Sequence, residues 1–419
     1  MKRIFAVLSL FTVALGVKAQ PVNYHQNIQP LIQSHCLPCH AKNSIAPIPL
    51  TDYEELLAYG NMLGYVTANN IMPPWRAENK EGHLKNYNTL NEKEITLIKK
   101  WIASGFPEGD RVQRPATTQY HTNVSGRLIN VAMQKAFPIK SDYTERAQVF
   151  VLEPPTKKDE WIYAIKFLPG NRKIVKLASI SLDTGIQGKL YDSYDERYGY
   201  SSQVGLSYIP SQFNWFQWTP DTADSFFNLP APIKMKAGSR LLMHIAYAAS
   251  DSIQKDSSVV LLRAGEKIPD SSGLQAGILI DTTHITNGPF VINKGDKKKV
   301  FAVRKLEQDE IIVSLMPMGQ FALSSWDIYA IDSSNGIRIP LLRIPHWDAH
   351  WKKKYYLQQP LHLPKGSTIH ATAYYNNSDD NRSLIILPPK QIRYGEGIRD
   401  EMFVIQYDYL ESASPVVKK

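Results

Sequence analysis

The chain has 419 residues, 43% of them apolar, a formal charge of +9 at pH 7 and two cysteines. That length and apolar content can bury two or three cores. The charge is mild for this size, and the short basic runs Lys297-Lys298-Lys299 and Lys352-Lys353-Lys354 read as solvated turns or strand ends, which excludes nucleic acid as a partner.

The chain opens Met1-Lys2-Arg3, continues through an apolar run over 4–17, and reaches Lys18-Ala19-Gln20. A basic start, a short apolar core and a small-residue end read as a secretory signal peptide, residues 1–19, cut after Ala19. The run is shorter than the roughly 20 residues a spanning helix needs. Nothing later is long and apolar enough to span, so the expectation is an exported, periplasmic or extracellular protein and not an integral membrane protein. Lys2, Arg3 and Lys18 leave with the signal and no acid lies within 1–19, which lowers the charge from +9 by three cations.

Residues 21–112 read as a haem-binding domain. Ile28, Leu31, Ile32 and His35 recur at helical spacing and deliver Cys36-Leu37-Pro38-Cys39-His40. Two thiols three residues apart with a histidine directly after is the arrangement that attaches haem c. Each thiol adds across one vinyl group, and the histidine reaches the iron from the same side. A dithiol redox motif does not need His40, and a zinc site needs more cysteines or histidines nearby. Cys36 and Cys39 are thus the covalent attachment points of one haem c, and His40 is the first axial ligand.

A helix begins at Thr51-Asp52-Tyr53-Glu54 with a capping signature and runs to about Asn69. It is followed by Ile71-Met72-Pro73-Pro74-Trp75, where two prolines stiffen a loop and Met72 is the expected second axial ligand. Met62, His25, His35, His83 or an open, five-coordinate iron are the alternatives. Trp75 and Arg76 are candidates to cover the haem edge and meet a propionate. Asn91 with Glu94 caps a last helix that carries the stripe Leu97, Ile98, Trp101 and Ile102 and ends at Gly105. Residues 113–124 read as the linker.

From residue 125 the period changes from helical to alternating. Runs such as 148–152, 161–167, 258–262, 311–315 and 402–407 are strand-like, and turn clusters such as Pro169-Gly170-Asn171 and Ser334-Asn335-Gly336 separate them. The expected architecture is multidomain: a small all-α cytochrome c domain followed by two all-β, jelly-roll-like sandwiches over 125–268 and 269–412, with a tail at 413–419.

Cys36 to His40, Ile45-Ala46-Pro47, Met72-Pro73-Pro74-Trp75, Phe167-Leu168-Pro169-Gly170-Asn171, residues 241–247, Ala371-Thr372-Ala373-Tyr374-Tyr375 and Asp400-Glu401-Met402 together resemble a bacterial family. Its members join a haem c domain to a copper type II, ascorbate-dependent monooxygenase-like double sandwich of the peptidylglycine α-hydroxylating kind. The resemblance implies two copper ions. One would take an adjacent histidine pair after Ile174-Val175 and a histidine before Tyr247; this chain has Lys176-Leu177 and Ala246 there, and Ala248 replaces a further histidine. The other would take a His-x-His pair, here Met318-Gly319-Gln320, and a methionine, here Met402. Only Met402 matches, as the remnant of a copper position.

Copper sites of this type want imidazole donors, so copper is not expected as a cofactor. Alternative donors are His244, a thioether set of Met316, Met318 and Met402, or His346 with His350, which stand about 13 Å apart if the segment is a strand. The expected function is electron transfer at a single haem to a redox partner protein, with catalytic residues and any small-molecule substrate left open. Monooxygenase activity is disfavoured by the missing histidines. An active copper and haem oxidoreductase, or a haem sensor or envelope binding protein, are the alternatives.

Overall fold

The structure is a computed structural model that describes residues 21–79, 82–85, 88–112, 126–201, 214–222, 224–266, 273–395 and 399–411. The expected signal peptide, linker and tail lie outside the described residues.

Residues 24–40 are helical without forming one regular helix. Tyr24–Ile28 and Ile32–Cys36 are wide π turns, with Gln29–Leu31 between them and the single turn Leu37–His40 after. Pro30 and Pro38 lack the N–H that an α-helical ladder requires at those positions, and the chain re-forms its bonding in wider turns. Asp52 caps Tyr53–Ala58 by accepting from the Glu55 amide, and Gly60–Ala68 follows after a break at Tyr59. Gly60 and Gly64 supply bare backbone where it is needed. A Cβ at Gly60 would lie 2.3 Å from the Phe106 ring, and one at Gly64 2.7 Å from Ile102. Asn91 and Glu94 form a reciprocal capping box on Glu92–Ala103, which buries Ile98 and Trp101 against Tyr24, Ile28, Ile32 and Leu56.

The rest is antiparallel β. In the first sandwich a five-stranded sheet runs in the order Tyr200–Ser201, Arg146–Leu152, Arg240–Tyr247, Val175–Asp183, Asn214–Trp218. It packs on a four-stranded sheet ordered Arg127–Ala132, Val259–Gly265, Glu160–Leu168, Phe227–Met235, and Phe150, Ile165, Ile180 and Met243 fill the space between. In the second sandwich the sheet Gln275–Ile280, Val404–Glu411, Glu310–Met318, Tyr355–Leu363 packs on Lys297–Lys305, Thr368–Asn376, Leu323–Ile331, Arg338–Ile344. Trp326, Leu315, Ile369 and Phe403 lie in that core. Thr368–Asn376 shows the governing pattern, with every second residue buried.

The expected class, an all-α cytochrome c domain followed by two all-β domains, is corrected by this architecture. The chain is mostly β, 40% strand against 16% helix; its helices are short, and besides those of the N-terminal segment the sandwiches carry Gln187–Tyr194 and the single turn Thr282–His284. The N-terminal helices share a small core of their own, but the chain between Gly60–Ala68 and Glu92–Ala103 does not stay on it. After Met72 the chain leaves the helices and runs along the second sandwich, where Trp75, Ala77 and Leu84 join the core. The Glu78 amide donates to the Arg343 carbonyl at 2.8 Å, the Lys85 amide to Tyr356 at 2.8 Å, and the Gln358 amide to His83 at 2.7 Å. Leu84 bridges to Leu357. The physical reason is burial. Trp75, Ala77 and Leu84 are apolar, and the sandwich offers them a larger apolar surface than the small helical cluster does. No described helix is long and apolar enough to cross a membrane.

Candidate haem-attachment site and sandwich junction

His40 ends the turn Leu37–His40, and Ala41 leaves it in extended conformation. The following loop folds back over the motif: the Ala46 amide donates to the Cys39 carbonyl at 3.0 Å, and the Leu50 amide to His40 at 2.9 Å. This return brings the Ile48 carbonyl 2.7 Å from His40 Nδ1. A carbonyl only accepts, so Nδ1 carries the proton and Nε2 is left with its lone pair free for a metal.

Cys36 and Cys39 are both free and half-buried. Burial pushes the Cys36 thiol up to about 12, with Cys39 adding to it. Burial also pushes the Cys39 thiol up to about 12, reinforced by Asp221 and opposed by Lys353. A redox-active Cys-x-x-Cys pair needs the opposite, a lowered thiol.

The other sequence candidates separate clearly. His25 is buried, with Nδ1 3.4 Å from Gln29 Oε1 and Nε2 3.3 Å from Glu108 Oε1. His35 has Nδ1 2.9 Å from Asn88 Oδ1 and Nε2 3.6 Å from Glu94 Oε1. Both rings are engaged at both nitrogens, as structural histidines are. Met62 is exposed on its helix. Met72 is 40% exposed, its amide donating to the Val66 carbonyl at 3.2 Å. Both ring nitrogens of His83 are buried without a hydrogen-bond partner.

In the first sandwich Leu177 and Ala246 are direct partners across adjacent antiparallel strands. Lys176 Nζ lies 2.5 Å from Glu145 Oε1. An alkyl group, a methyl group and a paired ammonium thus stand where the resemblance would put imidazoles. In the second sandwich Met316, Met318, Met402 and Val404 form a buried cluster of their own. Beside it the Glu401 carboxylate accepts from four backbone amides, those of Gln320, Ala322, Leu323 and Met402. Burial pushes Glu401 up to about 7 against those hydrogen bonds. His346 and His350 are exposed; the His350 ring turns to Asp348, with Nδ1 3.3 Å from Oδ1. No group of three or more histidine, cysteine, aspartate or glutamate side chains able to hold a metal occurs among the described residues.

Sequence reading missed the junction of the two sandwiches. Lys352-Lys353-Lys354, read as solvated, is set against carboxylates. Lys354 pairs with Asp408, the side chains 3% and 2% exposed. Lys353 Nζ lies 2.8 Å from Asp221 Oδ2, at 12% and 8% exposure. Burial lowers the Lys352 pKa, against the attraction of Glu401. Gln217 of the first sandwich donates to the Lys352 carbonyl at 2.9 Å and accepts from the Lys354 amide at 2.8 Å, so one side chain supplies both bonds of a strand pairing. The Phe227 and Tyr356 rings meet across the same junction, centroids 4.8 Å apart. The one sequence signal was the apolar Tyr355-Tyr356-Leu357 directly after the lysines, which marks them as the entry to a buried strand.

No family model matches the chain, and no curated protein does. Among solved structures it is similar to a protein described as PNGF-II, at 11% identity and a TM-score of 0.27, over 69% of this chain and 65% of that one. It is also similar to PNGase F, a glycosylasparaginase from Flavobacterium meningosepticum, at 8% identity and a TM-score of 0.27, over 68% of this chain and 97% of that one. Likeness at that level assigns no activity to this chain.

Proposed function

We propose that the protein is an exported c-type cytochrome that transfers single electrons at one haem. Its double sandwich then serves as a docking or binding module without catalytic copper. The observation that carries this reading is the hydrogen bond from His40 Nδ1 to the Ile48 carbonyl, directly after two free thiols. It fixes the ring tautomer, leaves the Nε2 lone pair free and makes the imidazole a stronger donor to iron.

Haem c bound at this segment supplies a one-electron couple. Cys36 and Cys39 would tether it, each S–H adding across one vinyl double bond, and His40 Nε2 would ligate the iron. Met72 is the proposed second ligand, a thioether that raises the potential. A pyridine haemochrome spectrum and metal analysis of one purified sample test the proposal. An α-band with one iron and less than stoichiometric copper is expected; absence of the α-band overturns it.

A second reading, a copper and haem oxidoreductase, draws on one observation: the shared cluster of Met316, Met318 and Met402. Thioethers suit Cu(I). That reading requires stoichiometric copper in the same analysis.

A further inference from the structure

We infer that a cleft at one end of the second sandwich binds a small amphipathic anion, its acidic head met by Lys390, Arg393 and Arg399 and its short apolar tail by Phe321, Ile385 and Ile386. The inference goes beyond the proposed haem attachment and does not depend on it.

The cleft opens where Thr368–Asn376 ends and Leu323–Ile331 begins, and it holds about 210 Å³. That volume lies below the range of pockets that enclose drug-sized ligands, so its occupant is small. The walls are fixed by buried groups. Asn377, 1% exposed, donates through Nδ2 to the carbonyls of Asn293 at 2.9 Å and Lys390 at 2.7 Å, which pins the loop that carries Lys390. Asn381 donates to the Phe321 carbonyl at 3.2 Å and to that of Asn376 at 2.7 Å. The Glu401 amide donates to the Arg393 carbonyl at 3.0 Å, and the Glu401 carboxylate gathers the amides of Ala322 and Leu323. Three distant segments thus form one preorganised rim.

Charge and apolar surface together select the ligand. Lys390, Arg393 and Arg399 line the cleft and are exposed, and among the described residues none of them meets a carboxylate. Arg393 turns to the neutral Gln391 amide oxygen, at 3.4 Å. Elsewhere on the same sandwich exposed cations stand beside acids: Lys297 with Asp380, Arg338 with Asp327, Arg343 with Glu78. The acids on the cleft are Asp400 and Glu401. Glu401 is fully buried on its backbone amides, and the Asp400 carboxylate packs against Gly395, where a Cβ would lie 2.5 Å from it. The cations outnumber them. Beside the cations runs Leu384-Ile385-Ile386-Leu387, with Ile385 46% and Leu387 66% exposed, and the first three of these line the cleft. Inorganic phosphate would match the charges and leave that aliphatic wall wet. An uncharged ligand would cover the wall and leave the charges unmatched.

The test is isothermal titration calorimetry of the full-length protein with octanoate, octanamide, acetate and inorganic phosphate. Octanoate is expected to bind once per chain, each methylene that enters the cleft tightening binding by about fourfold. Octanamide, which lacks the charge, and acetate and phosphate, which lack the tail, are expected to bind about tenfold more weakly or worse. Arg393→Gln with Arg399→Gln is expected to weaken octanoate by about tenfold. Near-ultraviolet circular dichroism checks folding. Ile385→Ser changes an exposed side chain, is expected to weaken octanoate, and carries the test if the arginine variant does not fold. No octanoate binding, octanamide or phosphate binding as tightly as octanoate, or an unchanged octanoate affinity in folded variants overturns the inference. Sedimentation with phosphatidylglycerol vesicles that Leu387→Ser abolishes, without octanoate binding, also overturns it and makes this end of the sandwich a lipid-docking face. Each of these outcomes leaves haem attachment standing.

Discussion

Lys354 reaches across the strand Glu310–Met318 to Asp408, and the two side chains are 3% and 2% exposed. Burial is the largest influence on each, raising Asp408 and lowering Lys354, so desolvation outweighs their mutual attraction. Such a pair is costly to break rather than strongly stabilising to make. Lys354→Met leaves the Asp408 carboxylate with the Ser314 hydroxyl as its remaining partner, at 2.7 Å. The expected loss is about 3–5 kcal/mol in urea unfolding. Lys354→Met with Asp408→Leu is expected to recover most of it. A single-variant loss below about 1 kcal/mol, the range of exposed pairs, would show that the pair is not enclosed.

Glu401 gives the fold a pH dependence of defined sign. Its carboxyl is raised from 4.5 to about 7, chiefly by burial. Between those values the folded chain holds a proton that the unfolded chain has released. Stability from this group is therefore full below the unfolded pKa, falls as pH rises through the window, and levels above about 7. The span is about 3 kcal/mol. Glu401→Gln is expected to flatten this part of the stability profile between pH 5 and 7. It also lowers stability overall, because an amide NH2 then faces backbone donors. An unchanged slope in the variant assigns the pH dependence elsewhere.

The sequence was most legible where chemistry is local. The Asn91–Glu94 cap and the alternation of Thr368–Asn376 are each set by residues within a few positions, and local pattern suffices to read them. Legibility ended where a contact joins distant parts of the chain. Trp75 read as a loop residue near a haem edge, because nothing beside it in sequence says that Tyr355 waits for it. Lys352-Lys353-Lys354 read as solvated, because their partners Glu401, Asp221 and Asp408 are far away in sequence. Charge runs are solvated by default, and only a folded seam between two sandwiches makes these exceptional.

Trp75 ties the N-terminal segment to the second sandwich. It is 8% exposed, and its ring meets Tyr355 edge to face at a centroid distance of 5.4 Å. Truncating a buried tryptophan typically costs about 3–5 kcal/mol. The loss from Trp75→Ala is expected to appear far along the chain, as faster amide hydrogen exchange in Tyr355–Leu363. Glu92–Ala103, which packs on the separate helical cluster, is expected to keep its protection. The reverse pattern, with the helix loosened and the strand unchanged, would make Trp75 part of a self-contained helical unit.

On the proposed haem attachment, two residues of one segment compete for the second axial position. Met72 offers a thioether at 40% exposure, and His83 offers an imidazole whose two nitrogens are buried without a hydrogen-bond partner. Exposure favours Met72 as the ligand, because a side chain turned outward is free to meet a group added from outside. His83 is held by its backbone, whose carbonyl accepts from Gln358 at 2.7 Å on the edge of the sandwich sheet. The expected outcome is therefore asymmetric. Met72→Ala should abolish the far-red methionine–iron band of the oxidised protein, lower the midpoint potential and let the reduced protein bind carbon monoxide. His83→Ala should leave all three as in the parent. If His83→Ala opens the iron to carbon monoxide and Met72→Ala does not, the imidazole is the ligand. The resting potential then belongs to a bis-histidine haem, lower than a methionine-ligated one, because a thioether is the weaker donor to oxidised iron.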